Sequence, residues 1–271
     1  MRFVSFNANS IRARLHQLEA IEASHAPDIV AIQETKVSDE EFPFDDVRGL
    51  GYPYIEVYGQ KGHYGVALLS KFPPTSVQLG IPWDGEDQQR RFISAVYDCA
   101  GTPTRIINGY FPQGESRVHP SKFPGKAKFF ADVDRFLQES CSPDEALILA
   151  GDLNVAPDDE DIGIGEDNRK RWLRDGKTSF LPEEREWLKK LTDWGLLDSY
   201  ARFSSDQPRL HSWFDYRSRG FEREPKRGLR IDLILVSTGL SDKITDCGID
   251  QVIRAQEKPS DHCPIWCDFS L

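Results

Sequence analysis

Ala146-Leu-Ile-Leu-Ala-Gly-Asp-Leu-Asn154 is an apolar run of strand length that stops on a carboxylate and an amide. Five consecutive apolar residues bounded by a glycine read as a buried strand, and the polar residues beyond it sit where that strand leaves its sheet. The same construction recurs along the chain. Residues 2–7 alternate in strand fashion and end at Asn7, and residues 28–33 follow Pro27 and run into Gln33-Glu34-Thr35. Residues 104–108 run into Gly109-Tyr110-Phe111-Pro112. Further strand-like runs cover residues 54–58, 66–69, 92–97, 231–236, 248–253 and 264–269. Helical spacing is confined to a few segments. Residues 10–24 carry Ile11, Leu15, Leu18 and Ile21 behind Ser10, a capping residue type, and residues 123–139 look helical in their later part. Pro182 opens another helix that reaches Leu191, and Gly195 stops it. Strands outnumber helices and many are joined by short loops. This predicts an α/β fold in which mixed sheets pack face to face with helices outside. No repeat or composition break divides the chain, so one domain over residues 1–271 is expected.

Composition narrows the function. A hydrophobic fraction of 39% and 29% charged residues belong to a globular chain, not a disordered or fibrous one. The longest aliphatic runs are too short to span a bilayer. The first sixteen residues carry Asn7, Asn9, Arg12 and Arg14 where an export signal needs an apolar stretch. Five scattered cysteines without a Cys-x-x-Cys pair read as reduced thiols, and a cytoplasmic protein without a membrane partner is expected.

The net charge of −10 argues against an all-round basic coat for nucleic acid. Two windows depart from it. Residues 169–174 carry +4, and residues 202–230 carry another +4 interleaved with Phe203, Trp213, Phe214, Tyr216 and Phe221. A basic, aromatic patch on an acidic body points to a localised polyanion footprint, against the alternative of ordinary solvated faces.

The chemistry lies where apolar strands stop, on rigid scaffold at a rim. Glu34, Asp152, Asp232 and Asp261, with His262, Asn7 and Asn154, make a hard-oxygen constellation that suits magnesium or manganese better than zinc. Taken singly, Asp152 reads equally as a turn cap and His262 as a core histidine. Other chemistries lack their parts: there is no phosphate-binding Gly-x-x-x-x-Gly-Lys loop, no His-Glu-x-x-His helix and no Gly-x-Ser-x-Gly elbow.

These residues also carry a resemblance. Phe6-Asn7, Gln33-Glu34-Thr35-Lys36, Gly151-Asp152-Leu153-Asn154, Arg230-Ile231-Asp232 and Ser260-Asp261-His262-x-Pro264 resemble the motifs of the endonuclease/exonuclease/phosphatase superfamily. Residues 59–66, 108–117, 161–165, 213–217 and 228–232 are similar to its exonuclease III branch, the apurinic/apyrimidinic endonucleases of base excision repair. The likeness runs in order from Arg2 to Trp266. It implies a four-layer α/β sandwich and a magnesium-dependent phosphodiesterase (manganese being the alternative ion) that cuts duplex DNA at abasic sites and trims blocked 3′ ends, leaving a 3′-hydroxyl. A monomer is implied as well.

The resemblance also implies roles. Asn7, Glu34 and Asp261 would surround the metal; Asp152 would align or deprotonate the attacking water, with Asn154 on the phosphate. Asp232 would hold His262 for the developing charge, and Tyr110 would stand near the scissile phosphate. Trp213 and Phe214 would pack around a flipped abasic sugar, with Arg91, Gln113, Lys122, Arg174, Arg217 and Arg227 along the DNA. Two departures stand out: Ala8-Asn9-Ser10 replaces the usual Ile-Asn-Gly, and residues 222–226 form a longer, more charged stretch. Alternative readings are a 3′-end trimming enzyme with little abasic incision, a superfamily phosphodiesterase acting on non-DNA substrates, and a DNA-binding module without catalysis. Every matched catalytic position is filled, which counts against the last.

Overall fold

In the computed structural model, which describes residues 1–85, 88–203 and 209–271, the strands in chain order are β1 (Arg2–Asn7), β2 (Ile29–Gln33), β3 (Tyr54–Tyr58), β4 (Val66–Ser70), β5 (Pro74–Leu79), β6 (Phe92–Cys99), β7 (Thr102–Tyr110), β8 (Ala146–Asp152), β9 (Leu196–Asp198), β10 (Asp232–Ser237), β11 (Ile244–Ile249) and β12 (Ile265–Phe269). They form two six-stranded sheets, ordered β11-β12-β1-β2-β4-β3 and β5-β6-β7-β8-β10-β9. Each is mixed: β1 runs parallel to β2 and β7 parallel to β8, while their other neighbours are antiparallel.

The period-2 alternation of side chains builds the layers. In β1, Phe3 points into the core between the sheets, with Ile29, Leu68, Ile148 and Ile234. Its neighbours Val4 and Phe6 point outward onto Leu18 and Ile21 of the helix Leu15–His25. On the far side, Ile107, Leu149 and Leu235 meet Phe130 and Leu137 of the helix Lys122–Ser140 and Leu188 of the helix Pro182–Asp193. The order helix, sheet, sheet, helix is thus the expected four-layer α/β sandwich. Burying one such aliphatic side chain contributes about 1.5–3 kcal/mol, and three apolar interfaces share the load.

A polar staple crosses the central core. Asn108 of β7 donates through Nδ2 to the carbonyls of Ile32 (3.0 Å) and Ala67 (2.9 Å) and accepts from Gln33 Nε2 at 2.8 Å. These groups are fully buried, so the staple fixes how the two sheets face each other at the end where the site lies.

Several sequence expectations shift. Ser10 does not cap a helix: its φ is 89°, its side chain makes no cap bond, and the helix starts at Leu15 after a short 3-10 turn. Its N–H donates instead to the Glu34 carbonyl at 2.8 Å, tying the chain after β1 to the chain after β2. The strand expected at 248–253 ends at Ile249, because Asp250 turns its carboxylate onto the N–H groups of Val252 and Ile253 and starts a helical turn. Among the described residues, no helix is long and apolar enough to cross a membrane.

Candidate active site

The polar residues at strand ends converge. Tyr110, Asp152 and Asp232 are register partners across β7, β8 and β10, so the three side chains stand abreast at one rim. Asn7 and Gln33 are partners in the facing sheet, which brings Glu34 opposite Asp152. Gly151 makes the close approach possible: its φ is 145°, and a Cβ there would lie 1.9 Å from the Gly109 carbonyl oxygen. Only glycine fits between these paired strands.

Asn7 bridges the acids, donating through Nδ2 to Glu34 Oε1 (3.1 Å) and Asp152 Oδ2 (2.9 Å). Tyr110 donates its hydroxyl to Glu34 Oε1 at 2.6 Å, and Lys36 Nζ lies 2.8 Å from Glu34 Oε2. Asp232 receives His262 Nδ1 at 2.9 and 3.0 Å, and His262 Nε2 faces Asp152 Oδ2 at 3.8 Å. Asp261 lines the same cavity of about 200 Å³, with its oxygens taken by Trp213 Nε1 (3.0 Å) and Asn9 Nδ2 (2.8 Å). Asn154, at φ 54°, donates its backbone N–H to Asp152 Oδ1 at 3.0 Å and its side chain to the Phe111 carbonyl.

Burial and charge set the protonation states. Burial works against a charged imidazole, but Asp232, with Asp152 behind it, pushes His262 up to about 10. Burial, reinforced by Asp232 and Glu34 and opposed by the His262 charge, pushes Asp152 up to about 8. Burial also raises Glu34, yet the charge and hydrogen bond of Lys36 outweigh it and hold this carboxyl below its ordinary value. Tyr110 is held well above its ordinary value, by burial first and then by Glu34, so it keeps its proton.

One ligand atom each from Glu34, Asp152 and His262 lies within 4.8 Å of the others. A protonated imidazole is no ligand, which leaves two carboxylates turned to one point. Such hard oxygens fit a magnesium- or manganese-sized divalent ion, and the crowding that raises Asp152 is what a cation would relieve.

Of the expected DNA-facing residues, Phe214 requires correction. It is fully buried in the core between the sheets, edge-on to Phe221 at 5.0 Å, and cannot touch a sugar. Trp213 bridges in strand fashion to Leu229 and His262, so successive side chains point to opposite faces: Trp213 toward the cavity, Phe214 into the core. Arg91 is also mostly buried, its guanidinium 4.0 Å above the ring of Tyr64 and 4.4 Å above that of Tyr110. Gln113 reaches the cavity while donating to Thr178, Lys122 pairs with Glu115 at 2.6 Å, and Arg174 with Asp175 at 2.9 Å. Arg217 and Arg227 are exposed, and each makes a backbone hydrogen bond.

Three contributors were missed from sequence. Ser212 donates to Asp232 Oδ2 at 2.6 Å and accepts from the Asp232 N–H, fixing the carboxylate that holds His262. Asn9 joins Asn7, Asp261 and Lys36, so the Ala8-Asn9-Ser10 departure keeps a polar link at the rim. Lys36, two residues past Glu34, pairs with its carboxylate. A serine distant in sequence carries no local signal, whereas an Asn and a Lys beside strand ends could have been included on position alone.

The model of the Endonuclease/Exonuclease/phosphatase family matches residues 4–262. Exodeoxyribonuclease III of Haemophilus influenzae is 52% identical over 269 residues, which cover 99% of this chain and all of that protein. A structure of the Neisseria 3′ phosphatase NExo bound to a product DNA hairpin superposes with a TM-score of 0.88 at 34% identity, each chain covered completely. An AP endonuclease from Archaeoglobus fulgidus gives a TM-score of 0.89 at 31% identity, again with both chains fully covered. With match, identity and superposition all running the length of the fold, the chain belongs to the endonuclease/exonuclease/phosphatase family.

Proposed function

We propose that this chain is a DNA-repair phosphodiesterase that uses a divalent cation, Mg2+ or alternatively Mn2+, to cut duplex DNA at abasic sites and to trim blocked 3′ ends, leaving a 3′-hydroxyl. The observation that carries the reading is the line of Tyr110, Asp152 and Asp232 across three adjacent strands, closed by His262. The relatives named exodeoxyribonuclease III, 3′ phosphatase and AP endonuclease support it.

Glu34 and Asp152 would hold the ion, with Asn7 and Asp261 at its margin. When bound, the ion neutralises the non-bridging phosphate oxygens and the leaving oxygen. Burial and its acidic neighbours raise Asp152 to about 8; beside the bound cation it would return to the ionised form, and that carboxylate takes a proton from the attacking water. His262, held charged by Asp232, donates from Nε2 toward charge growing on the phosphorus oxygens. Tyr110 keeps Glu34 aimed, and Asn154 lies beside the phosphate. Trp213, Ile231 and Trp172 wall the same cavity, an aromatic and apolar side against which a flipped sugar without a base would pack. The protein would act as a cytoplasmic monomer, its single domain spanning the chain.

Cleavage of three end-labelled duplexes with Mg2+ tests this: one abasic, one ending in a 3′-phosphate, one undamaged. Incision of the first and removal of the phosphate from the second are expected, with slower digestion of the third. Hydrolysis of an inositol phosphate in preference to all three would replace DNA as the substrate. Trimming without abasic incision would confine the enzyme to 3′ ends.

A further inference from the structure

Cys247 and Cys267 face each other across β11 and β12. They are register partners in the antiparallel pair, and their Sγ atoms lie 2.8 Å apart, closer than two thiols that merely pack. All five cysteines are free, and no other two are in contact among the described residues. Directly opposed residues of such a pair stand about 4.5–5.5 Å apart at Cα, inside the range that a disulfide spans. Cys247 is half-buried, so solvent reaches it, while Cys267 is fully buried. The contact with Cys247 and burial hold the Cys267 thiol far above its ordinary value, so it keeps its proton until its neighbour has reacted.

The place of the pair gives it a use. β11 is an edge strand, paired on one side only, and its register shifts between Ile244 and Asp246. Asp246 stands opposite Asp268, a like-charge pair that Arg2 relieves by donating to Asp268 at 2.6 Å. β11 leads into residues 250–264 and β12 leads out of them. That segment carries the helical turn Gln251–Arg254 and then Asp261 and His262, so one of its two anchors is a weak edge.

We infer that Cys247 and Cys267 are an oxidative modification site, where a disulfide forms under mild oxidation and staples the segment holding Asp261 and His262 to its sheet. The oxidant is a low-molecular-weight disulfide. The Cys247 sulfur attacks it and releases one thiol, and the Cys267 sulfur then attacks the mixed disulfide and releases the second. The new S–S bond replaces the old one, and both protons leave on the released thiols. The inference is independent of which substrate the acidic site takes.

The test follows the thiols and the fold together. The reduced full chain is equilibrated in glutathione buffers of rising oxidised fraction, alkylated and peptide-mapped, and its thermal midpoint is read in the same buffers. Cys247 and Cys267 should leave the thiol pool together as one linked pair, while Cys99, Cys141 and Cys263 remain open to alkylation. Closing a loop of about 20 residues should raise the midpoint by about 3 °C or more, and amide exchange over residues 250–264 should slow. Cys247→Ser should lose both effects, and Cys141→Ala should keep them. Cysteines 247 and 267 that stay alkylatable in the most oxidising buffer overturn the site, as does a stable glutathione adduct on Cys247 alone. A disulfide that forms without raising the midpoint overturns the staple.

Discussion

Two buried charge clusters lie back to back around Asn154. Behind it, Lys126 and Glu184 are completely buried and pair one to one. The ammonium also donates to the Asn154 carbonyl at 2.9 Å, and the second Glu184 oxygen accepts the N–H groups of Ser179 and Leu181, both at 2.8 Å. In front of Asn154, Asp152, Asp232 and Glu34 face a single imidazolium and Lys36. The first cluster closes its charges and its hydrogen bonds, and the polypeptide is its own partner. The second balances only while Asp152 keeps its proton, and once Asp152 ionises it leaves negative charge unmatched at a cavity. A buried cluster that balances holds the fold, and one that does not balance is built for something absent from the chain.

The largest effect should come from breaking the unbalanced side. Asp152→Asn removes the proton acceptor while keeping the shape, and turnover on abasic duplex should fall about 10²–10⁴-fold with DNA affinity little changed. Single-turnover cleavage beside a binding isotherm separates the two. A loss mainly in affinity would make Asp152 a binding group.

On the balanced side the effect is on stability. Lys126→Met strands a buried carboxylate, and urea unfolding should record a loss of about 3–5 kcal/mol. Adding Glu184→Leu should recover most of it, since both partners are then apolar. A double variant as unstable as the sum of the single ones would mean that the pair is not a closed unit.

The contrast between these clusters was half legible in the sequence. Asn7, Glu34 and Asp152 announced themselves because each ends an apolar run and Asp232 because it opens one, and alternation then placed the layers. Lys126 and Glu184 gave no signal: each sits on a helix where Lys and Glu are ordinary surface residues, and only packing takes them inside. β5 escaped notice because it is an exposed edge strand, and β9 because it is three residues long. The helix Glu166–Arg174 hid in a charge run, having no fully buried residue to set a period. Phe214 was misplaced because neighbours in sequence were assigned one face, where extended backbone gives them two.

The most direct measurement is the stability of the protein and of Asp152→Asn from pH 5 to 8, first with chelator and then with excess Mg2+. A carboxyl raised from its ordinary value near about 4 up to about 8 costs the fold increasingly as pH climbs between those values. Without metal, the variant should therefore be the more stable, by about 1 kcal/mol or more at pH 8, with the gap closing toward pH 5. Magnesium should stabilise the unaltered protein more than the variant and narrow the gap. Parallel curves that neither pH nor magnesium separates would contradict an unbalanced, cation-seeking site.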